Sequence, residues 1–249
     1  MRSDDGSLTI GLIGGMSWES TVPYYRAINE TVREQRGGLH SARIVLYSVD
    51  FHDVEAMQRT GRWSDAGEAL AQAGVALERA GADFLVLCTN TMHKVAAAIE
   101  RAVRIPLLHI ADPTADAVRT AGLHTIGLLG TRFTMEEDFY RERLLELHGL
   151  DVVVPDGADR DTVHRIIYDE LCMGRLVESS RAHYRRIVER LVARGAQGII
   201  LGCTEISMLI GPADASVPTF DTTLIHARAA ALRALAAVNR AAACQEPAS

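Results

Sequence analysis

The chain has 249 residues, 48% of them hydrophobic and 23% charged, with a formal net charge of −6. That length holds one large or two small domains with a substantial core, and the scattered basic residues exclude a nucleic-acid stripe or a membrane-binding face. No apolar run approaches membrane-spanning length and the N-terminus carries no signal-peptide pattern, so a cytoplasmic protein without nucleic-acid or membrane partners is expected.

Residues 1–8 read as a frayed start. TIGLIGG, Thr9–Gly15, is a buried strand ending in glycines. It is not a dinucleotide fingerprint, because GxGxxG needs a glycine where Ile13 stands. Residues 16–32 have helical apolar spacing, with Ser17 or Ser20 as cap and Pro23 in the first turn. Arg43–Val49 is a second strand, ending at Asp50, and the Ala-rich residues 65–80 form a helix. GADFLVL, Gly81–Leu87, is a buried strand running into LCTNTMH, Leu87–His93. A helix follows over residues 92–101, then the short strand IPLLHI, Ile105–Ile110.

The pattern then restarts. TIGLLGT at Thr125–Thr131 repeats TIGLIGG, and the helix after each carries an aromatic pair, Tyr24-Tyr25 and Phe139-Tyr140. GAQGIIL, Gly195–Leu201, runs into LGCTEI, Leu201–Ile206, as GADFLVL runs into LCTNTMH. VPTFDT, Val217–Thr222, echoes IPLLHI. Three landmarks recurring in one order identify a duplicated α/β unit rather than a solenoid. The expected fold is two similar α/β domains, 1–112 and 113–222, each with a mainly parallel sheet. A last helix, 223–243, has no counterpart in the first unit and is expected to pack back on the first domain. Residues 244–249 read as a flexible tail.

Laid over each other without a gap, the two motifs pair Thr89 with Cys203. Each stands at the C-terminal end of a strand, where open α/β sheets place ligands. Two proton-carrying side chains at equivalent strand ends suit a reaction that needs an acid on one face of a carbon and a base on the other. A cysteine serves as that base if N–H groups and a helix N-terminus lower its pKa. Asn90, Thr91 and Thr204 add donors for a carboxylate or an enolate. The four cysteines, Cys88, Cys172, Cys203 and Cys244, have no CxxC spacing and read as free thiols, which disfavours a metal site. Cys88 is assigned to the core, Cys172 to an amphipathic helix and Cys244 to the tail. His93 is read as a cap or filler, and Arg181, Arg185 and Arg186 as a solvated helix face. Glu205 is in reach to tune Cys203, but a carboxylate this close raises a thiol pKa unless it points away, and the structural role is preferred.

Taken together, TIGLIGGMSWEST, CTNTMH, GTRFTM, GCTEI and VPTFDT resemble the cofactor-independent aspartate/glutamate racemase superfamily over nearly the whole chain. Most relatives have CNT-x-H first and GCTE second, with a cysteine in each. Here Thr89 takes the first cysteine position and Cys88 lies one residue earlier, which is similar to the bacterial L-aspartate/glutamate-specific branch. The resemblance implies two α/β domains with the active site in the cleft between them, a homodimer, and an amino-acid racemase needing no cofactor. It implies Thr89 and Cys203 as the acid/base pair, with substrate contacts from Met16, Ser17, Trp18, Gln58, Asn90, Thr91, Thr131 and Thr204. Trp18 serves equally as a core residue. One departure weakens the acidic-substrate assignment. Relatives carry a carboxylate-reading lysine where Thr162 stands, and the only lysine here is Lys94. Arg160, His164 and Arg165 are the candidate replacements, although arginine and lysine differ in reach and geometry. The other readings are a further reaction of the superfamily (hydantoin racemase, maleate isomerase or malonate decarboxylase type) and a catalytically weak amino-acid-binding protein.

Overall fold

A computed structural model describes residues 6–243, with side chains through Ala236. The 244–249 tail with Cys244, and most of the expected frayed start, lie outside the described residues. Internal contacts divide the chain into two units. One holds the chain up to Cys88, Val95–Leu108 and the chain from His226. The other holds Thr89–Lys94 and His109–Ile225.

The first unit runs β1 (Ile10–Gly14), α1 (Trp18–Arg36), β2 (Ile44–Ser48), α2 (Phe51–Arg59), α3 (Trp63–Arg79), β3 (Phe84–Leu87), α4 (Ala96–Ala102) and β4 (Leu107–Leu108). Its sheet has the order β2-β1-β3-β4 with every pair parallel. The inner strands IGLIG and FLVL are buried at every position, the signature of a parallel strand covered on both faces. Ile10, Leu12, Phe84 and Val86 pack with Tyr24 and Ile28 of α1 and with Ala227, Ala230, Ala231 and Ala234. Those alanines recur at helical spacing and make one small-residue face. His226 sits on the same helix. Its Nε2 faces the Leu108 carbonyl and therefore donates to it, and its Nδ1 is hydrogen-bonded to the Tyr24 hydroxyl at 2.9 Å.

The β1–α1 turn depends on Gly15, whose φ is +91° and whose added Cβ would lie 2.3 Å from the Val49 carbonyl oxygen. The Gly15 N–H donates to Thr21 Oγ1, while the hydroxyls of Ser20 and Thr21 donate to the Ser17 carbonyl. Ser17 holds the N-cap position without a side-chain cap, and Ser20 lies inside the helix. Because α1 starts at Trp18, Pro23 falls in the second turn rather than the first.

The second unit runs α5 (Ala111–Thr120), β5 (Thr125–Gly130), α6 (Arg132–Glu136), α7 (Asp138–His148), β6 (Asp151–Val153), α8 (Gly157–Asp169), α9 (Glu178–Ala193), β7 (Ile199–Gly202), α10 (Ile206–Leu209) and β8 (Thr219–Asp221), with α11 (Thr222–Ala243) following. Its sheet order, β6-β5-β7-β8, repeats the first, again wholly parallel. The protein is thus α/β, with two parallel four-stranded sheets of one topology. Alternation along β7 sorts the second core. Ile200 packs with α5 and α7, whereas Ile199, Leu201 and Cys203 face α8 and α9.

Several local expectations change. The segment after β3 begins as a 3₁₀ turn, Thr91–Val95, and becomes α-helical only at Ala96. Cys172 lies on a second 3₁₀ turn, Leu171–Met173, not on an amphipathic helix. Arg181 and Arg185 are not merely a solvated face. Both pair with the buried Asp214, at 2.9 and 2.5 Å, and hold its carboxyl down to about 2. Helices α2 and α5 and strand β6 have no counterpart in the sequence reading.

Candidate active site

Two strand ends in the second unit are packed through glycine. Gly130 and Gly202 are register partners on β5 and β7. A Cβ on Gly202 would meet Leu128 Cδ1 at 2.7 Å and the Leu129 carbonyl at 2.8 Å, and one on Gly130 would meet the Gly202 carbonyl at 2.8 Å. These glycines let Thr131 and Cys203 emerge from closely packed strands.

The first-motif loop belongs to this unit, so Thr89, Asn90, Thr91, Thr131, Cys203 and Thr204 all lie in one body. His93 holds the loop. Its Nδ1–H donates to the Thr89 carbonyl at 2.7 Å and its Nε2 accepts the Ile110 N–H at 3.2 Å. A backbone N–H donates only, so this Nε2 carries no proton and the ring is neutral. The imidazole also lies against His109, with ring centroids 4.3 Å apart. His93 therefore fixes the backbone of Thr89, a fuller role than a filler.

Asn90 links the two motifs. Its Nδ2 donates to Thr222 Oγ1 at 3.0 Å, and that hydroxyl donates to the Leu201 carbonyl at 2.8 Å, two residues before Cys203. With the amide orientation set by this chain, Asn90 Oδ1 is a buried acceptor with no hydrogen-bond partner among the described residues. Thr91, Thr131 and Thr134 form a buried hydroxyl triangle with edges of 2.8, 3.2 and 3.4 Å. Thr131 also caps α6, accepting from the Thr134 N–H. Thr134 and Thr222 were not singled out from sequence. The signal existed: Thr134 sits one helical turn after Thr131, and Thr222 ends the VPTFDT echo.

Cys203 is 8% exposed, and its Sγ donates to Glu205 Oε2 at 3.0 Å. The Thr204 hydroxyl donates to the same oxygen at 2.8 Å. Burial, then the Glu205 charge, push the Cys203 thiol well above its ordinary range. The condition set for a cysteine base, a lowered pKa, is not met. The helix that was to supply a dipole, α10, is a single turn of four residues, too short to offset desolvation. Glu205, read as structural, accepts a hydrogen bond from the Cys203 sulfur. Cys88 is fully buried in the first core, as assigned, and burial raises its thiol too.

The remaining proposed contacts lie in the first unit. Met16, Ser17 and Gln58 are buried, whereas Trp18 is 65% exposed and is not a core residue. On α8, Thr162 turns its hydroxyl back to the Ala158 carbonyl. Arg160 pairs with Glu136 at 3.0 Å and Arg165 with Glu170 at 3.7 Å. His164 Nδ1 accepts the Arg132 N–H, and burial followed by the Arg132 charge lowers its pKa. Among the described residues no three His, Cys, Asp or Glu side chains form a group suited to a metal ion, and no helix is long and apolar enough to cross a membrane.

The two parallel sheets of order 2-1-3-4 share their fold with a glutamate racemase of known structure from Francisella tularensis, at TM-score 0.62 and 16% identity, covering 95% of this chain and 83% of that one. Residues 13–230 match the Asp/Glu/Hydantoin racemase model, and the chain belongs to that family. It is similar to a candidate Asp/Glu racemase of known structure from Yersinia pestis, at 59% identity and TM-score 0.85, covering 92% of this chain and 99% of that one. An aspartate racemase homologue from Pyrococcus horikoshii is 36% identical with TM-score 0.77, over 91% and 98% of the two chains. The broad-specificity amino-acid racemase RacX of Bacillus subtilis is 22% identical over 224 residues, 88% of this chain and 95% of RacX. The activity class is accordingly that of amino-acid racemases, which are isomerases.

Proposed function

We propose that the protein inverts Cα of aspartate or glutamate without a cofactor, by a two-base mechanism in which Thr89 and Cys203 serve opposite faces of the carbon. The observation that carries this reading is the Asn90–Thr222–Leu201 hydrogen-bond chain, which ties the two motifs together and leaves a buried amide oxygen unpaired. An α-ammonium supplies the donor that this oxygen lacks. The Thr91 and Thr131 hydroxyls are donors for the α-carboxylate, with Thr204 beside Cys203, and they stabilise the enediolate as the α-proton leaves. Met16, Ser17, Trp18 and Gln58 complete the substrate contacts in this reading. An acidic side chain is read by an arginine or His164 of α8 in place of the family lysine. A cytoplasmic homodimer belongs to the same proposal. Its support is an exposed apolar stripe on α1, Trp18, Val22 and Tyr25, together with Leu46 and Tyr47 exposed on the edge strand β2.

Proton NMR in heavy water tests it, with both enantiomers of aspartate, glutamate and a panel of neutral amino acids. Loss of the α-proton signal from aspartate or glutamate, with the opposite enantiomer appearing, is expected. A threonine hydroxyl is almost never ionised, so the enantiomer facing Thr89 should exchange more slowly than the one facing Cys203, which is L by the family resemblance. Exchange confined to neutral amino acids would remove the acidic-substrate assignment. Absence of exchange across the panel would remove the racemase mechanism.

A further inference from the structure

We propose that Glu205 is the proton acceptor of Cys203: its Oε2 takes the thiol proton and so generates the thiolate that removes the substrate's α-proton. This rests on the racemase reading. It answers a difficulty that the site itself raises, because a thiol buried beside a carboxylate does not lose its proton to solvent at neutral pH.

The geometry supplies the acceptor. Sγ donates to Oε2 across 3.0 Å, and both residues are buried. The Thr204 hydroxyl donates to that same oxygen, so Oε2 is held facing the sulfur. Other titratable groups around Cys203 do not offer an equivalent. Tyr184 of α9 donates its own hydroxyl to the Val163 carbonyl. Cys172, on the 3₁₀ turn Leu171–Met173, is another thiol and adds to the upward push on Cys203. Glu170, charged beside Tyr184, accepts from Ser180 and pairs with Arg165.

Electrostatics favour transfer within the pair. Ionising Cys203 to solvent would leave two anions in contact inside the protein. Moving the proton from Sγ to Oε2 keeps one negative charge before and after. Sulfur and carboxylate thus share one proton in either arrangement. The S–H bond breaks and the O–H bond of Glu205 forms. The thiolate takes the α-proton, S–H re-forms, and the electrons of the Cα–H bond pass into the enediolate. The Thr89 hydroxyl protonates the opposite face. The proton left on Glu205 and the one missing from Thr89 are evened through solvent before the next turnover.

The experiment is the pH profile of iodoacetamide labelling of Cys203, read by peptide mass spectrometry on the full-length protein without substrate. Wild-type labelling should be nearly flat between about pH 6 and 8, since the proton only relocates within the pair. In Glu205→Gln it should rise about tenfold per pH unit and be at least about tenfold slower at pH 6. The same variant should lose α-proton exchange about 100-fold in kcat with little change in KM, and Glu205→Asp should recover part of it. Faster labelling in Glu205→Gln than in wild type would mean that the carboxylate only repels the thiolate, and would overturn the proposal. So would a wild-type profile that itself climbs tenfold per unit, a test that needs no variant to fold. Labelling is independent of turnover. A flat wild-type profile in a protein that exchanges no amino acid would therefore sink the racemase mechanism while leaving the Cys203–Glu205 proton pair standing.

Discussion

In the proposed mechanism a single sulfur exchanges a proton with the substrate, and its surroundings decide how. Cys203 directly follows β7 and is desolvated by Ile199, Leu201 and the helices packed on them. Serine in its place keeps the shape but presents a hydroxyl that ionises far less readily. Cys203→Ser should stay folded by circular dichroism and lose α-proton exchange by at least about 100-fold. Cys88→Ala is the control. It removes a small side chain from the other core and should lower stability by about 1 kcal/mol in urea while sparing exchange. A wild-type exchange rate in Cys203→Ser would exclude this sulfur as the base.

The elements that present the site are held by close contacts and by one buried carboxylate. Adding a methyl at Gly202 drives it into Leu128 and the Leu129 carbonyl on the neighbouring strand. Gly202→Ala should destabilise the second unit by about 1–3 kcal/mol and lower exchange, because β5 and β7 must separate just before Thr131 and Cys203. Thermal unfolding followed by circular dichroism checks it, and an unchanged midpoint would mean that the strands give way freely. Asp214 ties α9 to the turn before β8. The Arg181 hydrogen bond leads the effects that lower its pKa to about 2, with the Gly211 N–H and Arg185 adding to it. A carboxylate depressed in the fold stabilises it above the ordinary carboxylate range, and that contribution fades as pH falls from about 4 through 2. Asp214→Asn should therefore cost about 1.5–3 kcal/mol at pH 7 and almost nothing near pH 2, as urea titrations at the two pH values would measure.

For the whole molecule, the unmatched feature is an edge strand of a parallel sheet whose Leu46 and Tyr47 face solvent, beside the apolar stripe of α1. Parallel strands are ordinarily covered. Tyr25→Glu places a charge in that stripe and should shift the proposed homodimer to monomer in light scattering, with secondary structure unchanged. A wild-type mass already equal to one chain would remove the homodimer from the proposal.

The sequence by itself determined the duplication, the strand runs and the two motifs. Apolar runs ending in glycine at TIGLIGG, TIGLLGT, GADFLVL and GAQGIIL are local patterns whose burial follows from composition, and repetition fixes their correspondence. It also singled out Thr89, Asn90, Thr91, Thr131, Cys203 and Thr204, all of which the second unit holds. Tertiary structure alone decided the rest. The 132-residue separation of Asn90 and Thr222 leaves no local trace of their hydrogen bond. The assignment of residues 89–94 to the second unit depends on what those residues pack against, not on where they fall in the chain. The protonation of Cys203 depends on the fold for the same reason. A strand-helix junction in sequence implies a dipole and free N–H groups, but the ionisation of a thiol is set by how much water the fold removes and by the carboxylate it brings to 3.0 Å.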